Sequence, residues 1–247
     1  MKKLLTIMLS VLMVFGLTAC GKDENDNNTD GPTNGDDVVE VTAKDDYASF
    51  MAADVDAEVE VLMYVQAHQA WWEDNGQGVM TLYGMDKDGG YFVYNAKMDK
   101  ETADSIKEGT LVKVTGVKAE WAGEVEIMDA TVEVLGETKT FEATDVTDVI
   151  SDSEKLATYM NQKIAMKGLE VVEVSVKDSD SDPDLYITCK LGDTEVNLCV
   201  ENYLTGPDTE VYMTGKDLTA GTIIDVEGFL YWYEGANPHV TSISVVK

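Results

Sequence analysis

Four carboxylates at alternate positions, Asp178, Asp180, Asp182 and Asp184, lie in the run Asp178-Ser179-Asp180-Ser181-Asp182-Pro183-Asp184. Such a donor set suits a hard cation such as Ca²⁺. The run begins like a calcium loop, but Pro183 stands where that loop needs glycine and Cys189 where it needs a bidentate glutamate. These departures favour a solvated acidic loop and leave Ca²⁺ as the one cofactor to test. A second partial match, Asp26, Asn28, Asp30, Gly31 and Asp37, sits in an Asp/Asn-rich stretch without flanking helices and reads as linker. The only histidines, His68 and His239, have no neighbour at ligand spacing, so a transition-metal site is not expected. The chain contains no GxSxG, HExxH, phosphate loop or GxGxxG. Paired carboxylates are too common here to point anywhere, so no catalytic residue is assigned and enzyme activity is not expected.

The balance of charge bounds the partners. Of 247 residues, 47 are Asp or Glu and 18 are basic, a formal net charge of -29. All the basic residues are Lys, so the bidentate guanidinium fork that reads guanine or clamps a phosphate is missing. A field of this sign repels nucleic acid and anionic headgroups, and the expectation is no nucleic-acid partner. The 44% hydrophobic content is ample for a packed core.

The first residues give an address. Lys2 and Lys3 precede an uncharged apolar stretch from Leu4 to Leu17, too short to cross a bilayer comfortably, that ends in small residues before Cys20. The ending Leu17-Thr18-Ala19-Cys20-Gly21 resembles the lipobox of bacterial lipoproteins. That resemblance implies removal of residues 1–19 and acylation of Cys20 with diacylglycerol and palmitate. The membrane partner would then be a lipid anchor, holding the chain outside the cell on the cytoplasmic membrane or on an outer membrane. Residues 20–44, rich in Asp, Asn, Gly and Thr, are expected to form a disordered acidic tether.

What remains is a duplication. Gly109-Thr110-Leu111-Val112-Lys113-Val114-Thr115-Gly116 aligns with Gly221-Thr222-Ile223-Ile224-Asp225-Val226-Glu227-Gly228, and Ala48-Ser49-Phe50-Met51 with Ala157-Thr158-Tyr159-Met160. A repeat of about 110 residues is a whole domain, giving expected domains at 45–137 and 145–247. Each copy opens with a short helix, the second capped by the Ser151/Glu154 pair. A long alternating strand follows, with Val59, Val61, Met63 and Val65 inward in the first copy and Val172, Val174 and Val176 in the second. A hairpin comes next. In the second copy Gly192-Asp193 makes a two-residue turn that pairs Leu191 with Thr194 and sets Cys189 opposite Val196. Cys199 then faces the other way, and in that register a Cys189–Cys199 disulfide is not expected. A helix stopped by Gly109 or Gly215 and two closing strands complete each copy.

This order, with a glycine bending the fourth strand at Gly116 and Gly228, resembles the OB-fold. The expected fold class is mainly β: two tandem five-stranded OB-fold-like barrels, each with a helix between strands three and four and a short N-terminal helix. A seven-stranded sandwich is disfavoured by the strand count and the internal helix. The resemblance implies ligand binding on strands two and three and in the loops joining strands one to two and four to five. By position this selects Trp71, Trp72, Tyr83, Tyr91 and Trp121 in the first copy and Trp232 and Tyr233 in the second. These rings suit a carbohydrate or protein ligand, although each Trp could equally plug a barrel end. The reading is a membrane-anchored binding or scaffold module. Alternatives are a calcium-stabilised structural module and an accessory protein of cell-wall or glycan processing.

Overall fold

The computed structural model describes residues 42–176 and 183–246. The chain is mainly β, and its strands close two barrels of the same topology. In the first, β1 (Glu58–His68) pairs antiparallel with both β3 (Gln77–Met85) and β5 (Thr110–Trp121). The ring is completed by β4 (Gly90–Lys97) beside β3 and by β6 (Glu124–Thr138), antiparallel to β5 and parallel to β4. The short β2 (Trp72–Asp74) adds to the edge of β3.

In the second barrel β8 (Lys163–Val176) takes the place of β1, pairing with β9 (Leu185–Leu191) and β11 (Ile223–Phe229). β10 (Thr194–Val200) pairs with β9 and runs parallel to β12 (His239–Val245), which returns to β11. β7 (Thr144–Asp145) lies parallel to β8. Leaving aside β2 and β7, both rings follow the five-stranded OB order, with third and fifth strands parallel. A helix sits between strands three and four of each: α2 (Lys100–Ser105) and α4 (Glu210–Lys216).

One strand can belong to two neighbours because it bends. In β1 Val65 pairs with Gly84 and Ala67 with Tyr83, so Gln66 is the extra residue of a bulge. Its side chain turns inward, accepting from the Phe141 N–H at 2.8 Å and donating to the Lys139 carbonyl at 3.1 Å. β8 bulges at the matching place, with Val172 between Val171 and Glu173. This corrects the expected inward face. Val172 and Val176 are exposed, while Ile164, Met166, Leu169 and Val171 are buried. In β1 the alternation holds, with Val59, Val61, Met63 and Val65 all buried. The second hairpin has the register read from its turn: Leu191 opposite Thr194, Cys189 opposite Val196 and Cys199 opposite Tyr186.

Short helices depend on their caps. Asp46 caps α1 (Tyr47–Ala52), its Oδ1 accepting from the Ser49 N–H at 2.8 Å, and Asp99 does the same for α2 through Thr102. For α3 (Ser153–Ala157) the cap is Asp152, bonded by the Lys155 N–H, and not Ser151. α4 continues through Gly215, whose missing side chain lets Ile187 and Ile243 approach the helix.

Each barrel fills its own interior, the first around Met63, Leu82, Tyr91 and Ile127, the second around Met166, Leu169, Ile187 and Leu198. A third apolar cluster joins Tyr83 and Phe92 of the first sheet to Phe229 at the end of β11, with Leu204 and Tyr231 against it. Residues 41–247 consequently form one compact unit. Among the described residues no helix is long and apolar enough to cross a membrane.

Candidate functional site

β3 and β4 are apolar on both faces. Leu82, Tyr91 and Val93 point into the first barrel, and Tyr83 and Phe92 point out of it and are buried as well. A sheet covered on both sides needs a second layer, and here the layer is the other barrel. Tyr83 lies 4.8 Å from the Phe229 ring centroid, and its hydroxyl is hydrogen-bonded to His239 Nδ1 at 2.7 Å. The His239 imidazole stacks on Tyr231 at 4.3 Å, and burial pushes its pKa down to about 3. It is a neutral packing group at the start of β12.

Next to this seam the two barrels leave a cleft of about 430 Å³ lined by Gln69, Trp72, Tyr94, Asn95, Glu201 and Tyr203. Three segments meet there. The turn after β1 is fixed by Gln69 N–H donating to the Thr81 carbonyl (2.9 Å) and Ala70 N–H donating to the Tyr203 carbonyl (3.2 Å). Trp71 tucks its ring over Gly78 and donates from Nε1 to the Met98 carbonyl at 3.1 Å, which leaves Trp72 facing outward as the first residue of β2.

β4 contributes Tyr94 and Asn95. Asn95 adopts a left-handed backbone (φ 46°) beside an irregularity in the β3–β4 ladder, where Thr81 both donates to its Oδ1 and accepts from its N–H. The turn after β10 contributes Glu201 and Tyr203. Glu201 Oε2 accepts from Gln69 Nε2 at 3.1 Å, and Oε1 accepts from the Tyr203 N–H at 3.2 Å. Burial, reinforced by nearby Asp184, outweighs these hydrogen bonds and pushes the Glu201 carboxyl up to about 7. Trp72, Tyr94 and Tyr203 keep 45%, 43% and 51% of their surface exposed. The cleft thus presents three aromatic faces around two amides and one carboxyl group that holds its proton more tightly than an exposed one.

Of the residues singled out in the sequence, Trp72 lines this cleft, and Trp71 supports it from behind, half-buried. Tyr83 and Tyr91 are corrected: at 1% and 0% exposure neither offers a face to a ligand. Tyr91 fills the first barrel and donates from its hydroxyl to Asp86 at 2.8 Å. Trp121 and Tyr233 are exposed but do not line the cleft, and Trp232 is half-buried against Gly123. Asp178, Asp180, Asp182 and Cys20 lie outside the described residues. Asp184 accepts from the Asn202 N–H at 3.0 Å, and among the described residues no three acidic, His or Cys side chains gather as a metal site. Gln69, Tyr94, Asn95, Glu201 and Tyr203 were missed. Tyr94 had a visible signal: with Phe92 it puts two aromatics on the outward face of an alternating strand.

The molecule is thus a double OB barrel with a cleft at its seam. No protein-family model and no curated protein match the chain. Solved structures that resemble it include the p204 HINb domain, at 11% identity over 78% of this chain and 100% of that one, with a TM-score of 0.37. A murine DNA-binding protein bound to double-stranded DNA matches at 10% identity over 76% and 95% of the two chains, TM-score 0.36. The Replication Protein A heterotrimer bound to single-stranded DNA matches at 11% identity over 76% and 48%, TM-score 0.36. Likeness at such identity speaks to the fold alone. The exclusion of nucleic acid as a partner is nonetheless corrected, because the matched structures include proteins bound to double- and single-stranded DNA. Net charge sums over a whole surface, whereas binding follows the local field.

Proposed function

We propose that the chain is an exported lipoprotein, acylated at Cys20, that holds the double barrel outside the cell as a binding module with the seam cleft as its ligand site. The observation that carries the binding role is the convergence of Trp72, Tyr94 and Tyr203, from three separate segments, as exposed rings around one concavity. A chain that only needed to fold would gain by covering such rings. The anchoring role is supported by the basic start, the apolar run and the Leu17-Thr18-Ala19-Cys20 ending, followed by a polar stretch able to act as a tether.

Metabolic labelling with an alkyne fatty acid tests the anchor. The wild-type chain is expected to carry label and to sediment with membranes, and Cys20→Ala to lose both. An unlabelled wild-type chain that keeps residues 1–19 by mass spectrometry would end this reading.

A further inference from the structure

We infer that the seam cleft is a site for a neutral sugar ring of a glycan, stacked on Trp72, Tyr94 and Tyr203 and hydrogen-bonded by Gln69, Asn95 and Glu201. The inference rests on the cleft being the ligand site and adds the class of ligand. A pyranose has apolar C–H faces and a rim of hydroxyls, each able to donate and accept. Exposed aromatic rings match the faces, and planar amides or a carboxyl match the rim.

Asn95 is suited to this task because its Oδ1 is occupied by Thr81, and among the described residues nothing accepts from its Nδ2. Glu201 is held in place before any ligand arrives, since Gln69 of the first barrel and the Tyr203 N–H fix its two oxygens. A group fixed in advance loses little freedom on binding. A volume of about 430 Å³ is within the range of small-molecule sites.

The electrostatics select among ligands that stack. None of the six lining residues is a lysine, and Glu201 lies close to Asp184. A phosphate or carboxylate placed here would meet carboxyl groups with no lysine among the described lining residues, whereas a neutral ring would not be repelled. The proposal also makes the site composite: Gln69, Trp72, Tyr94 and Asn95 come from one barrel, and Glu201 and Tyr203 from the other.

The test uses the full mature chain and two kinds of probe: a panel of neutral oligosaccharides of glucose, galactose, mannose, xylose and N-acetylglucosamine, and a mixed-sequence 12-nucleotide single-stranded DNA. Tryptophan fluorescence and calorimetric titration report binding. At least one oligosaccharide series is expected to bind, with Trp72→Ala and Tyr203→Ala each weakening it tenfold or more. Trp72→Phe should retain most of the affinity, and Met213→Ala, on the exposed face of α4, should leave it unchanged. Melting curves confirm that each variant is folded. Silence across the panel, or binding indifferent to both alanine substitutions, would overturn the inference. DNA binding lost in Trp72→Ala and Tyr203→Ala would overturn the sugar while leaving the cleft a binding site. An unlabelled Cys20 would remove the anchor alone.

Discussion

Glu124 is wholly buried at the start of β6, and its Oε2 accepts a 2.7 Å hydrogen bond from the Trp232 N–H. Its Oε1 and the Oδ1 of nearby Asn161 are both buried without a hydrogen-bond partner among the described residues. A buried carboxylate oxygen left without a donor disfavours the ionised form, and a proton on the carboxyl relieves it. Burial outweighs the hydrogen bonds from the Trp232 N–H and the Asn161 side chain and, with the charge of Glu126, pushes this carboxyl up to about 8 from an ordinary 4.5. Between those values the folded chain keeps a proton that the unfolded chain has released, so stability falls as pH rises. Glu201, raised to about 7, acts with the same sign up to pH 7. His239, lowered to about 3 from 6.5, acts with the opposite sign and only below pH 6.5. From pH 7 to 8 Glu124 is losing its proton in the folded state while Glu201 completes its own ionisation and His239 stays neutral. Urea melts of the wild type are expected to lose stability there, Glu124 alone contributing up to about 1.4 kcal/mol per pH unit. Glu124→Gln, whose amide is neutral, should remove the Glu124 part of the loss and leave the smaller part due to Glu201. An equal slope in the variant would mean that the folded chain carries Glu124 ionised.

The fourth strand of each barrel bends at a glycine. A Cβ at Gly116 would fall 2.7 Å from the Met128 carbonyl oxygen and from an Ile127 methyl, where the β5–β6 register shifts. At Gly228 it would fall 2.2 Å from the His239 carbonyl oxygen, where β11 and β12 shift in the same way. Both sites meet a backbone carbonyl oxygen, but at Gly228 the approach is 2.2 Å against 2.7 Å and every near atom is backbone, so Gly228→Ala should be the costlier change. We expect about 1–3 kcal/mol for Gly116→Ala and the upper end of that range or beyond for Gly228→Ala. Chemical denaturation reads both, and equal stability of the two variants would refute the ranking. These glycines were legible because the repeat sets them at matching positions, and the strands around them because Val59 to Val65 and Leu185 to Leu191 alternate with period two. The bulges were not legible. Nothing local marks Gln66 or Val172 as the extra residue, since each is decided by how far one strand must pair with two others. The hydrogen bond that made Asp152 the cap in place of Ser151 was equally hidden, because both residue types can cap. Nor did alternation reveal the cleft. It tells which side chains face a barrel, but Glu201 and Gln69 meet only once two barrels are docked.

At the scale of the whole chain the decisive feature is the seam. Each barrel has its own core, so each could in principle unfold alone, and the apolar part of what couples them is the cluster of Tyr83, Phe92 and Phe229 with the buried Tyr83–His239 hydrogen bond. Tyr83 is central to it, touching Phe92 at 5.1 Å and Phe229 at 4.8 Å between ring centroids. Tyr83→Ala would empty that space at a cost of about 3–5 kcal/mol and strip His239 of its hydroxyl partner. The loss falls on the seam and spares both interiors. The intact chain is therefore expected to melt in one calorimetric transition with matching calorimetric and van't Hoff enthalpies, and Tyr83→Ala in two. Trp121→Ala, which removes a ring that is 61% exposed, should stay within about 0.5 kcal/mol of wild type and keep the single transition. If Tyr83→Ala still melted in one transition, merely at lower temperature, the barrels would be bound into one cooperative unit by contacts beyond this cluster. The Glu124–Trp232 hydrogen bond and the Ala122 carbonyl, which accepts from the Glu234 N–H at 2.8 Å, would be the next to remove.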